Sequence, residues 1–111
     1  MINEPAEMIL DRLGQDEVLC QLAEESTELA HAALKLRRAY DGSNPTPVSA
    51  ADAYNAVLEE IADVSLALEV LGFNRPLPLL EVQKIMNEKL ERWVQRLEEK
   101  EAKCAEPATC P

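Results

Sequence analysis

The stretch VLCQLAEESTELAHAALKL, residues 18–36, decides the fold. Val18, Leu22, Leu29, Ala33 and Leu36 recur at the spacing that gathers side chains on one face of an α-helix. Asp16 has the chemistry of an N-cap for this segment, which is predicted to run to about Tyr40. Upstream, Asn3 and Pro5 suit an N-cap and an early helical position, and Met8, Ile9 and Leu13 follow before Gly14 supplies a stop. This reads as a short leading helix.

Downstream, DGSNPTPV at 41–48 collects Gly, Ser, Asn and two prolines, and is expected to be a loop. Ser49 and Asp52 resemble a capping box, after which the apolar pattern continues to Leu71 and stops near Gly72. Asn74, Arg75, Pro76 and Pro78 are read as a turn. Val82, Ile85, Met86, Leu90, Trp93 and Leu97 then mark a third long amphipathic helix, fraying beyond about Lys100. The expected fold is all-α, a short leading helix plus three long helices with no strand. It forms one helical domain over residues 1–104, with 105–111 as a disordered tail. Three long helices in so short a chain leave apolar stripes that another copy would bury, so a bundle completed by oligomerisation is expected.

Composition agrees and excludes several functions. The 111 residues carry 11 basic and 21 acidic side chains, a net charge of −10 that repels a nucleic-acid backbone. Three glycines and four aromatic residues leave little material for a Gly-rich nucleotide loop or a β-sandwich. No apolar run reaches the roughly 18 residues of a bilayer span, and residues 1–13 lack the basic and apolar regions of a secretory signal, so no membrane role and a soluble, cytoplasmic protein are expected. Cys20, Cys104 and Cys110 are odd in number and unevenly placed, which favours reduced thiols over a disulfide scaffold.

The chemistry lies in two acidic segments offset by 35 residues. Glu24-Glu25-Ser26-Thr27-Glu28-Leu29 and Glu59-Glu60-Ile61-Ala62-Asp63-Val64 both have two acids, a third acid after two intervening residues, and then an aliphatic residue. Acids on helices are ordinarily solvated, but position on the helical wheel argues otherwise here. At about 100° per residue, Val18, Leu22, Leu29, Ala32 and Leu36 lie within roughly 60° of Glu25. Val57, Val64, Ala67 and Leu71 surround Glu60 in the same way, while Glu59 and Glu69 fall on the solvent side. Glu28 and Asp63 stand three residues beyond the inward acids, on the same flank of each stripe. Four carboxylates are thereby expected to converge between two packed helices.

Carboxylates in an apolar interface must be neutralised. Hard oxygen ligands without His or Cys suit Mg²⁺, with Mn²⁺ as a substitute, better than Zn²⁺. The alternative is a structural network with Lys or Arg from the third helix. That helix offers Lys89, Arg92 and Arg96 as a basic stripe beside Met86, Trp93 and Leu97, which a polyphosphate substrate would also require. Trp93 fits a core anchor better than a base-stacking platform. His31, the single histidine, lies off the inward stripe and is expected at the surface, leaving almost no material for a Ser-His-Asp or Cys-His nucleophile.

The pattern of Glu24-Glu25-x-x-Glu28 followed by Glu60-x-x-Asp63 resembles the EExxE and ExxD motifs of the MazG-like all-α nucleotide pyrophosphohydrolases. The likeness covers roughly residues 17–97 and includes EKLERWVQRLEE, similar to the Lys- and Arg-bearing last helix of that group. The resemblance implies Mg²⁺ held by Glu25, Glu28, Glu60 and Asp63, and hydrolysis of a nucleoside triphosphate to the monophosphate and pyrophosphate. It also implies a homodimer or homotetramer. Lys89 and Arg92, with Arg96, become candidate phosphate contacts, and Glu24 a candidate for orienting water or taking its proton. Clearing of non-canonical or surplus deoxynucleotides is the expected purpose. A phosphoribosyl-ATP substrate and a non-catalytic helical oligomerisation module are the competing readings. The long segment between Glu28 and Glu60 and the Cys-containing tail depart from the family pattern and leave base and sugar preference open.

Overall fold

The computed structural model describes residues 4–42 and 47–105. Among these the chain is all-α, with four helices and no strand: α1 (Glu4–Leu13), α2 (Gln15–Asp41), α3 (Ala50–Leu71) and α4 (Pro76–Cys104). Asn3, residues 43–46 of the expected Pro-containing loop and residues 106–111 of the tail lie outside the described residues. The helices fall into two units, one through Asn74 that holds α1 to α3, and one from Arg75 that holds α4.

In the first unit Gly14 both ends α1 and opens α2. Its φ of +86° is left-handed backbone that a side chain would strain. Its N–H donates to the Leu10 carbonyl at 2.8 Å, and its own carbonyl accepts from the Val18 N–H at 3.2 Å. Asp16, expected as the N-cap, therefore sits inside the first turn, where with Glu17 its charge meets the positive end of the helix dipole. The reason is the single-residue connection, which leaves no room for a separate cap.

Ser49 is the N-cap of α3, its hydroxyl oxygen accepting from the Asp52 N–H at 3.1 Å. A cap of this type contributes about 1 kcal/mol. The helix closes at Gly72 (φ +86°), whose N–H reaches back to the Glu69 carbonyl while the Phe73 N–H reaches Leu68.

Earlier residues of α2 meet later residues of α3. Val18 clusters with Val70 and Ala6, and Leu10 and Leu71 pack against that cluster. Further along, Glu25 approaches Glu60 and Asp63, so the two helices run antiparallel with α1 laid over one end. On α2, Val18, Leu22, Glu25, Leu29, Ala32, Leu36 and Ala39 are the residues withdrawn from solvent, at alternating spacings of four and three. On α3, Ala53, Val57, Glu60, Val64, Ala67 and Leu71 follow the same rule. This is the seven-residue repeat of a coiled-coil seam. Val18 and Ala32 are its buried members on α2, and Ala33, which the apolar spacing had placed on the stripe, is exposed. Glu59 is solvent-facing as expected, but Glu69 is half-buried, because α1 covers this end of α3 from a further side.

The second unit begins earlier in sequence than the turn reading allowed. Pro76 and Pro78 lie in the first turn of α4, not in a preceding turn. Proline is tolerated there because first-turn N–H groups have no intrahelical acceptor to lose. The helix also continues to Cys104, past the expected fraying point at Lys100. No residue of α4 is buried, and its exposed apolar residues, among them Leu79, Val82, Met86, Leu90, Trp93 and Leu97, recur at helical spacing.

Candidate metal centre

The seam between α2 and α3 is apolar except at two places, and both are glutamates. Glu25 stands one heptad from Val18 and from Ala32, and Glu60 one heptad from Ala53 and from Ala67. Those three alanines are buried, at 7%, 2% and 5% exposure, so the backbones approach closely around the acids. The helix period thus forces both carboxylates into a place where apolar side chains would pack better.

Glu25, Glu60 and Asp63 each present one carboxylate oxygen to a common locus, with all three oxygens within 4.8 Å of one another. Glu25 and Glu60 are half-buried and Asp63 is exposed, so the cluster is closed on the seam side and open to solvent on the other. Glu28 is exposed and is not one of the three, although its charge is felt at Glu60. The structure therefore brings together three of the four expected carboxylates.

Glu60 carries the electrostatic strain of the arrangement. Its Oε2 is buried with no hydrogen-bond partner. Desolvation raises its pKa above the ordinary 4.5, and the charges of Asp63, Glu25, Glu28 and Glu59 raise it further. Glu25 is steadied differently, since Gln21 Nε2 donates to its Oε1 at 2.7 Å from one turn earlier. Carboxylate oxygens only accept, so it is the amide nitrogen of Gln21 that must face Glu25.

The hydroxyls within the first acidic segment are spent locally. Ser26 Oγ donates to the Leu22 carbonyl at 2.7 Å and Thr27 Oγ1 to the Ala23 carbonyl at 3.0 Å, so both turn back on their own helix. Among the described residues of the first unit no Lys or Arg forms an ion pair with Glu25, Glu60 or Asp63, and Arg37 pairs with Asp41 at 3.8 Å instead. Three carboxylates, one of which has a buried and unpartnered oxygen, form a group that could hold a metal ion.

Beside the carboxylates lies a cavity of about 150 Å³. Glu25, Asp63 and Gln21 contribute its polar edge, while Ile9 and Leu13 of α1 and Leu66 of α3 are among its apolar walls. Gln21 and this apolar recess were not foreseen. The four-residue spacing from Gln21 to Glu25 was available as a signal, but the contribution of α1 depends on how it crosses the other two helices.

On α4, Lys89, Arg92 and Arg96 border one concavity of about 370 Å³ together with Trp93. The three cations thus share a face as their spacing required. Trp93, expected as a core anchor, is 65% exposed in the chain. Glu24 and His31 are exposed, as are the free thiols of Cys20 and Cys104. Comparison with protein families, curated proteins and solved structures gives no match.

Proposed function

We propose that the chain is a Mg²⁺-dependent nucleotide pyrophosphohydrolase that cleaves nucleoside triphosphates between the α and β phosphates. The observation that carries this reading is Glu60, a carboxylate in an apolar seam with one oxygen buried and unpartnered, clustered with Glu25 and Asp63. Such a group is costly in isolation and is satisfied by a divalent cation. The likeness of the two acidic segments to the EExxE and ExxD motifs of the MazG-like family supports the same reading.

In this reading Glu25, Glu60 and Asp63 hold the metal, with Glu28 completing the set from the exposed flank. When bound, the cation neutralises phosphate oxygens and makes a coordinated water more acidic. Water adds to the α phosphorus, the bond from that phosphorus to the α–β bridging oxygen breaks, and pyrophosphate leaves with the electron pair. Gln21 fixes the orientation of Glu25 through its amide. Glu24 is the candidate acceptor of the water proton, free to reach solvent-side water because it is exposed. The family resemblance makes Lys89, Arg92 and Arg96 of α4 the candidate phosphate contacts. The active species is a homodimer or homotetramer in the cytoplasm, clearing surplus or non-canonical deoxynucleotides.

Pyrophosphate release from a panel of NTPs, dNTPs and phosphoribosyl-ATP, with Mg²⁺ or Mn²⁺, tests the proposal alongside Glu60→Gln. The parent is expected to yield pyrophosphate and monophosphate, and the variant to lose about 100-fold or more of that activity while remaining folded. A folded parent with neither turnover nor metal binding refutes the proposal and leaves a non-catalytic oligomerisation module.

A further inference from the structure

α4 is the helix of the second unit, and none of its 29 residues is buried. Leu79, Met86, Leu90, Trp93 and Leu97 are 41% to 65% exposed, and their spacings of seven, four, three and four residues place them on one seam. In the heptad that this spacing defines, Leu90 and Leu97 are a positions, and Leu79, Met86 and Trp93 are d positions. The next a position, one heptad beyond Leu97, is Cys104, a free and exposed thiol.

Such a seam is covered by a second helix with the same repeat, and a second copy of α4 carries that repeat. The flanking charges choose between the two ways of pairing. Lys89 and Arg96 stand at g, on one side of the seam, and Glu101 stands at e, on the other. In a parallel pair g faces e of the next heptad, so Arg96 meets Glu101 of the partner subunit, twice by symmetry. In an antiparallel pair g faces g, so Lys89 meets Arg96 of the partner subunit, and both such contacts repel. Gln83, at a, faces the partner's Gln83 in the parallel register, where the two amides can hydrogen-bond across the axis. Lys100, at d, opposes parallel pairing, but it lies one turn from the end of the helix, and its long stem lets the ammonium reach water.

We propose that two copies of the chain associate through a parallel, in-register pairing of α4, with Met86, Leu90, Trp93 and Leu97 on the shared seam. Residues at a and d then face their own counterparts, which sets Cys104 beside the partner's Cys104. This pairing belongs to α4 and does not depend on what the carboxylates of the first unit bind.

Cys104 reports the orientation. Its two copies are adjacent in the parallel pair, whereas antiparallel helices with overlapping seams hold them roughly 35–40 Å apart. The test treats the full chain bearing Cys20→Ser and Cys110→Ser, whose one thiol is Cys104, with diamide, beside the full chain bearing Cys104→Ser and Cys110→Ser, whose one thiol is Cys20. Each cross-link joins two thiols in a disulfide, and their two electrons and two protons pass to the N=N bond of diamide, which becomes a hydrazine. The Cys104 chain is expected to form a covalent dimer of twice 12.3 kDa many times faster than the Cys20 chain does, and to lose that advantage in urea. Glu101→Arg, which sets like charges against the partner's Arg96, is expected to slow the cross-link several-fold, and adding Arg96→Glu to restore it. A disulfide formed no faster through Cys104 than through Cys20 overturns the proposal, as antiparallel pairing or burial of the seam against a different partner would give. A rate indifferent to Glu101→Arg, or a monomer in sedimentation at the same concentration, also overturns it.

Discussion

At the scale of single residues, Glu60 links the fold to the chemistry. Its raised pKa means that the folded chain binds this proton more tightly than the unfolded chain does. The stability it contributes is complete below the ordinary glutamate pKa of 4.5 and is lost as pH rises through the higher folded value. The metal-free protein should therefore show a falling Tm as pH is raised from about 4.5 toward neutrality. Glu60→Gln, which keeps the shape and removes the charge, should raise the metal-free Tm at pH 7 and flatten that slope. Thermal unfolding across the pH range in the presence of a chelator checks both, and a slope unchanged by the substitution would show that Glu60 is not its source. The position of this residue was legible because a helical wheel needs only the sequence. That three acids converge while Glu28 stays outside was not legible, since it depends on the rotation of α2 against α3.

At the scale of elements, the seven-residue seam of α2 and α3 sets how near the acids come. Ala53, at 2% exposure, lies one heptad before Glu60 and lets the helices close there. Ala53→Leu should overpack the seam and cost about 1–3 kcal/mol of stability, measured by chemical denaturation. It should also weaken divalent-cation binding by spreading the carboxylates. A neutral effect on both would mean that the seam is looser than the buried alanines indicate. Helix existence and most ends were readable from apolar period and capping chemistry, Ser49 and Gly72 above all. The starts of α2 and α4 were not. Asp16 and the two prolines have chemistry compatible with positions on either side of a helix start, and the one-residue link at Gly14 decides the first case.

At the scale of the whole molecule, the buried hydrophobic residues among those described are Ala6, Val18, Ala32, Ala53, Ala67 and Val70, none larger than valine. Larger apolar side chains remain exposed, including Tyr54, Leu58 and Ile61 on α3 and the stripe of α4. No described helix is long and apolar enough to cross a membrane, so lipid-spanning does not account for them. Such faces point to burial against other copies of the chain. Sedimentation should give two or four times the 12.3 kDa chain mass, and Tm should rise with protein concentration. A monomer at micromolar concentration with a concentration-independent Tm would contradict this. The expectation of oligomers came from the apolar stripes of three long helices and from the family resemblance, and the 65% exposure of Trp93, which has the spacing of a core anchor, strengthens it.

Calorimetric titration of Mn²⁺ and Mg²⁺ into chelator-treated protein at pH 7, for the parent and for Glu60→Gln, tests the metal centre directly. Saturable binding to the parent is expected, with proton release from Glu60 that grows as pH is lowered toward its titration range, and with loss of most of that binding in the folded variant. Equal binding by parent and variant, or none by either, would contradict the assignment of Glu25, Glu60 and Asp63 as a metal centre.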